Sequence, residues 1–121
     1  MHVWRRTQER WWCSLEGQQF EKEVGKLLKE RGYNVQFTGA SGEGGVDLVL
    51  DSASETILVQ CKAHKSPVGP AAVRDLYGAL THRGGSEAWL VSTSPFTGGA
   101  TEFARDKPLR LIEIRELLDY S

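Results

Sequence analysis

Cysteine, proline and methionine are scarce in this chain: two, four and one among 121 residues. The two cysteines, Cys13 and Cys61, stand too far apart for a zinc spacing or a C-x-x-C redox pair. With no secretion signal, they are expected to stay unpaired, Cys61 serving as a small hydrophobe in a buried strand. Long apolar runs are also missing. None reaches bilayer length, and the first residues lack the apolar segment of a signal peptide, so a cytoplasmic chain without a membrane partner is expected. An excess of one charge is missing too: 15 Lys and Arg face 16 Asp and Glu, a net charge of −1. That excludes the profile of a strongly basic nucleic-acid binder. It does not decide against DNA, because an acidic metal site lowers net charge while its bound cation offsets it where a phosphate sits.

What is present is an ordinary globular balance, 40% apolar and 26% charged residues. The length suits one domain able to bury a core without disulfides or a structural metal. An arm over residues 1–14 is expected to precede a domain over residues 15–121. The arm holds Trp4, Trp11 and Trp12 with Arg5, Arg6 and Arg10. Its tryptophans either pack on the domain or on a second copy, or the arm touches nucleic acid.

The stretch from Gly39 to Lys62 organises the rest. Gly39 to Gly45 is too glycine-rich for regular structure, and it lacks both the P-loop ending and a dinucleotide fingerprint. Val46 to Leu50 is an apolar run broken only by Asp47, and Glu55 to Lys62 is another that ends in Gln60 and Lys62. The short turn between them predicts an antiparallel hairpin of central strands. Alternation puts Gln60 and Lys62 on one face, and the hairpin brings Asp47 beside them.

Around this hairpin the pattern gives a helix over Leu15 to Arg31 with Phe20, Val24, Leu27 and Leu28 on its apolar face and Gly32 as its stop. Glu21 lies on or beside that stripe, where it either reaches water at the rim or turns inward to a partner or metal. Tyr33 to Thr38 reads as a strand with Val35 and Phe37 on one face. A helix from Pro67 to Leu80 carries Val73, Leu76, Tyr77 and Leu80, and Ala88 to Val91 follows as a strand parallel to the one bearing Lys62. A short helix over Thr97 to Asp106, an edge strand over Leu109 to Ile114 and a terminal helix over Arg115 to Asp119 complete the chain. The order is αβββαβαβ(α), an α/β fold with a mixed sheet flanked by helices.

Hydrolysis of a phosphodiester needs an activated water, neutralised phosphate charge and a stabilised leaving oxygen, and a divalent cation contributes to all three. Mg²⁺ is held by one or two carboxylates, with waters and phosphate oxygens completing its shell. Asp47 offers a carboxylate, Gln60 an amide oxygen, Cys61 a backbone carbonyl, and Glu21, if inward, a second carboxylate directly or through water. Lys62 is a compact cation able to orient or deprotonate the attacking water. The competing reading is plain: strands often end in lysine, and Asp47 would merely pair with it.

Several segments together resemble the Mrr-like catalytic domain of restriction endonucleases, a branch of the PD-(D/E)xK nuclease superfamily. They are Phe20-Glu21, Gly32-Tyr33, Thr38-Gly39 through Gly44-Gly45-Val46-Asp47, and Val59-Gln60-Cys61-Lys62. The likeness continues through Leu76-Tyr77-Gly78-Ala79-Leu80 and the Ser92 to Ala104 segment. The resemblance implies a restriction-endonuclease-like fold and a Mg²⁺-dependent endodeoxyribonuclease, with Mn²⁺ able to substitute, acting on foreign, modified or branched DNA. It assigns Asp47 to the metal, Lys62 to catalysis, Glu21 to the first-helix glutamate, and Gln60 to a place where this branch commonly has glutamine. Glu43 departs from the branch's more usual aspartate. The expected partners are DNA and a second copy of the chain, as a homodimer or within a larger restriction or repair assembly, since one site cuts one strand. His64, Lys65 and Arg74 are candidate DNA contacts. The alternative is a DNA-binding or protein-interaction module of the same fold with weak catalysis, and a weaker third is a structural homo-oligomer built on the tryptophan-rich arm.

Overall fold

A computed structural model of the chain describes residues 2–39 and 45–118, with side chains from residue 8 onward. Its elements are α1 (His2–Ser14), α2 (Gly17–Glu30), β1 (Asn34–Phe37), β2 (Leu48–Asp51), β3 (Thr56–Lys62), α3 (Pro70–Arg83), β4 (Glu87–Ser92), α4 (Gly98–Ala104), β5 (Leu109–Glu113) and α5 (Ile114–Leu118). The expected order is recovered, with one helix more at the N-terminal end. Both cysteines are free thiols. No described helix is long and apolar enough to cross a membrane.

The strands lie in the order β1-β2-β3-β4-β5. The first three form an antiparallel meander, and β4 and β5 run parallel to β3. Four residues, Ser52 to Glu55, turn the β2–β3 hairpin, closed by a Ser52 N–H to Glu55 carbonyl bond of 2.9 Å. Ile57 to Gln60 of β3 are all buried, as a central strand covered on both faces requires. Helix α3 fills the crossover from β3 to β4. Pro70 sits in its first turn, and Gly84, at φ 74°, closes it in the left-handed conformation that glycine adopts without a Cβ clash.

Two cores sandwich the sheet. Under α2, α1 and α5 lie Phe20, Val24, Leu48, Val59, Trp89 and Val91. Under α3 and α4 lie Val46, Leu58, Val73, Leu76, Leu90 and Ala100. The N-terminal arm is helical up to Ser14, and Trp12, 6% exposed, is part of the first core, edge-on to Phe20 at 6.1 Å between ring centroids. Trp11 beside it stays 47% exposed. The expected pairing of Val35 and Phe37 holds only in part, because Val35 is buried while Phe37 is 44% exposed. Phe37 caps the sheet edge by lying over Gly25 of α2, where a Cβ would stand 2.5 Å from the ring.

Candidate active site

Asp47 stands one residue ahead of β2 rather than within it. Its N–H donates to the Val59 carbonyl at 2.9 Å and its carbonyl accepts the Thr38 N–H at 3.1 Å, so its backbone is fixed from both neighbouring strands. The Thr38 hydroxyl donates to the carbonyls of Val46 and Asp47. Just outside the ladder, the Asp47 side chain is able to turn over the end of β3. Its Oδ2 accepts the Cys61 amide N–H at 2.7 Å. The β2–β3 ladder begins at the Leu48–Val59 pair, so Asp47 meets β3 through the Val59 carbonyl and the Cys61 N–H rather than as a ladder partner of Gln60.

Alternation along β3 sends Gln60 and Lys62 to the face of Leu58, the one packed by α3 and α4. Val59 and Cys61 face α2. Gln60 is 6% exposed, and its Oε1 is buried without a hydrogen-bond partner. Lys62 is the last residue of β3, partly buried, and pairs with Ser92 of β4.

The charges see one another. Burial raises the Asp47 carboxyl above its usual range, and the Cys61 N–H and the Lys62 ammonium pull it only part of the way back. The Glu21 carboxyl is raised by burial first and by the Asp47 charge second, so α2 holds it within electrostatic reach of Asp47. The enclosed Cys61 thiol is pushed well up by burial, then by Asp47 and Glu21. Glu21 thus faces the Asp47 end of the sheet and is only partly solvent-covered. Two acids and one amine thus lie within electrostatic reach of one another at the open end of the hairpin.

These residues fit a hard cation. Among the described residues no three His, Cys, Asp or Glu side chains form a metal cluster, which sets a zinc-type cage aside for that part of the chain. One carboxylate with neutral oxygens is instead the ligand pattern of Mg²⁺, which keeps several of its waters. Asp47 keeps its second oxygen for such an ion. The N–H and carbonyl of one strand residue point to the same edge, so the Cys61 carbonyl turns to the side where its N–H meets Asp47. An unpaired buried carboxamide oxygen costs roughly 1–3 kcal/mol, a cost a cation beside Gln60 would relieve.

The other candidates are placed less tightly. His64 and Lys65 are exposed in the segment after β3. Arg74 is exposed on α3 with its guanidinium 6.0 Å from the Phe103 ring centroid, set against α4. Glu43 and its glycine neighbours lie outside the described residues. Two residues that hold elements around the site escape pattern reading: Gly25, whose missing Cβ admits the Phe37 ring, and Thr93, whose hydroxyl bonds the His64 backbone.

Comparison with known proteins bears on the family and the fold. Residues 13–121 match the Mrr_cat family, described as restriction endonuclease. The chain is 34% identical over 94 residues to the type IV methyl-directed restriction enzyme EcoKMrr of Escherichia coli K12, covering 71% of this chain and 31% of that enzyme. It is 36% identical over 73 residues to an uncharacterized mitochondrial protein, C824.03c, of Schizosaccharomyces pombe, covering 54% of this chain and 30% of that one. The chain therefore spans under a third of the length of these curated relatives. Among solved structures it is similar to the MspJI restriction endonuclease in complex with a 27-mer oligonucleotide, with a TM-score of 0.67 and 23% identity over 95% of this chain and 29% of that one. It is also similar to the DNA modification-dependent restriction endonuclease AspBHI, with a TM-score of 0.64 and 19% identity over 82% of this chain and 29% of that one. At such identities the structural likeness speaks for the fold, which is restriction-endonuclease-like. With all but its first twelve residues inside the family match, the chain belongs to the Mrr_cat family of restriction endonucleases.

Proposed function

We propose that this domain is a divalent-metal-dependent endodeoxyribonuclease that hydrolyses DNA phosphodiester bonds, with Mg²⁺ as its ion and Mn²⁺ able to replace it. The observation that carries the reading is the buried, unpartnered Gln60 Oε1 on the strand that also presents the Cys61 amide to Asp47 and ends in Lys62. Asp47, Gln60 and the Cys61 carbonyl hold the cation, and Glu21 joins them directly or through a water. When bound, the cation acidifies a water and offsets phosphate charge. The Cys61 N–H fixes one Asp47 oxygen and so aims the other. The Lys62 ammonium stands near Asp47, where it orients the attacking water, takes part in its deprotonation and balances the phosphate. His64 and Lys65 contact phosphates along the strand exit, and Arg74 does so from α3.

The relatives named for methyl-directed and modification-dependent restriction support modified DNA as the substrate class. One site per chain cuts one strand, so a double-strand break requires a homodimer or a larger assembly. The test is nicking of plasmid and of linear, branched and methylated duplexes with Mg²⁺ and Mn²⁺, beside Asp47→Ala and Lys62→Ala. Cleavage by the natural chain and none by folded variants is the expected result. DNA binding without cleavage in any divalent metal would mean that the fold serves as a binding module.

A further inference from the structure

Thr93 is the first residue past β4, and it grips the chain that leaves β3. Its N–H donates to the Lys62 carbonyl at 3.2 Å. Its Oγ1 accepts the His64 N–H at 3.2 Å and donates to the His64 carbonyl at 3.1 Å. Three hydrogen bonds from one residue thus bracket Ala63, just where the regular ladder ends at the Lys62–Ser92 pair. Beyond this clamp His64 to Pro67 run exposed. Thr93 is itself anchored, because the Cys13 thiol of α1 lies 3.8 Å from its carbonyl. Its neighbours differ: Ser92 and Ser94 bond each other, 3.1 Å apart and buried, and reach no part of the Lys62 segment by their hydroxyls.

We infer that Thr93 is a positioning residue for Lys62. Lysine has a long flexible stem, and the direction of its ammonium depends on the backbone at its Cα. A terminal strand residue with no ladder beyond it would fray. The hydroxyl clamp on His64 carries the β3 backbone two residues past the ladder and so fixes the direction in which the Lys62 stem leaves it. The catalytic consequence rests on the nuclease reading above, whereas the geometric one does not.

The test compares Thr93→Val, which keeps the shape and loses the hydroxyl, with Thr93→Ser, which keeps the hydroxyl. Thr93→Ala replaces the valine variant should that one fail to fold. Amide exchange and the Lys62 side-chain carbon signals are followed by NMR in the metal-free chain, and nicking is followed with Mn²⁺. In the valine variant the His64 amide is expected to exchange at least tenfold faster, and the Lys62 signals to move toward those of an unrestrained lysine. The kcat is expected to fall about tenfold to a hundredfold, by more than any rise in KM for DNA from the loosened His64, and serine is expected to restore all three. Unchanged Lys62 signals in the valine variant, or a loss that serine does not restore, would overturn the inference. If the natural chain cuts nothing, the nuclease reading fails alone, and the exchange and Lys62 signals still decide the role of Thr93.

Discussion

The Asp47 carboxylate is bound to the backbone of Cys61, its Oδ2 accepting the amide N–H at 2.7 Å. The bond orients the acid but does not fully compensate its burial, and its carboxyl remains above the usual range. A carboxyl raised in the folded state favours folding most at low pH, and that advantage is lost as pH rises through the folded value. Near neutrality the metal-free protein therefore bears the cost of a buried negative charge. Asp47→Asn keeps an oxygen for the Cys61 N–H and removes the charge. It is expected to melt higher than the natural chain at pH 7 without metal, with the gap closing as pH falls through the raised carboxyl range. Added Mg²⁺ should reverse the order, because only the natural chain gains from the ion. Thermal melts across pH, with and without Mg²⁺, check this. Cleavage by the variant should fall at least about a hundredfold.

Lys62 lowers the Asp47 carboxyl, so amine and acid share one end of the sheet. Lys62→Met keeps the apolar stem and removes the charge. The variant should fold, bind DNA with little change and lose cleavage by at least about a hundredfold. Lys62→Arg should restore little, because a planar, always-charged guanidinium neither occupies the same point nor releases a proton. Single-turnover nicking beside a binding titration separates the two effects.

Among the described residues, Gln60 Oε1 is the buried side-chain polar atom without a hydrogen-bond partner. Gln60→Glu places a second carboxylate there. Metal-free, it should destabilise the fold by ~1–3 kcal/mol at neutral pH, since an unpaired charge is buried there. With metal it should bind Mn²⁺ more tightly than the natural chain, because ligand charge strengthens a hard-cation site. Titration calorimetry with Mn²⁺ and paired melts test both directions. Equal metal affinity in the two proteins would place Gln60 outside the ligand set.

At Gly25 the sheet edge meets α2, with a Cβ due 2.5 Å from Cζ of Phe37. The blocking atoms belong to a ring that is 44% exposed and able to swing outward. Gly25→Ala is therefore expected to be nearly neutral, the gain in helix propensity of up to ~1 kcal/mol offsetting the displaced ring. Gly25→Leu should cost about 2 kcal/mol or more and separate β1 from α2, one turn after Glu21. Urea unfolding of both variants provides the measure.

Elements governed by periodicity were legible in the sequence. The four-residue spacing of Phe20, Val24 and Leu28 marked α2, and the uninterrupted apolar residues of β3 marked a central strand. The β2–β3 hairpin itself was legible because its register follows from turn length and alternation. Thr93 was not, because its partners at His64 lie 29 residues away and are backbone atoms that no pattern of side chains records. The exposure of Phe37 was hidden for a related reason. Alternation gives its face correctly but not where that face runs out at the edge of β1.

Trp11 and Trp12 are adjacent and alike in sequence, yet the helix sets them about 100° apart, one toward the core and one toward its rim. Trp12 is 6% exposed among the core residues under α2, and Trp11 is 47% exposed, edge-on to Trp12 at 5.4 Å. The family match begins at residue 13, so the last turn of α1 lends the core a side chain from just outside it. Trp12→Ala should cost ~3–5 kcal/mol, most of the stability of many domains of this size. Trp11→Ala should cost at most about 1 kcal/mol, the worth of an edge-to-face ring contact near solvent. Chemical denaturation followed by circular dichroism, which does not depend on the lost indole, distinguishes them. Equal effects from the two substitutions would show that α1 does not dock as described, and a fully stable Trp12→Ala would make the helix dispensable to the domain.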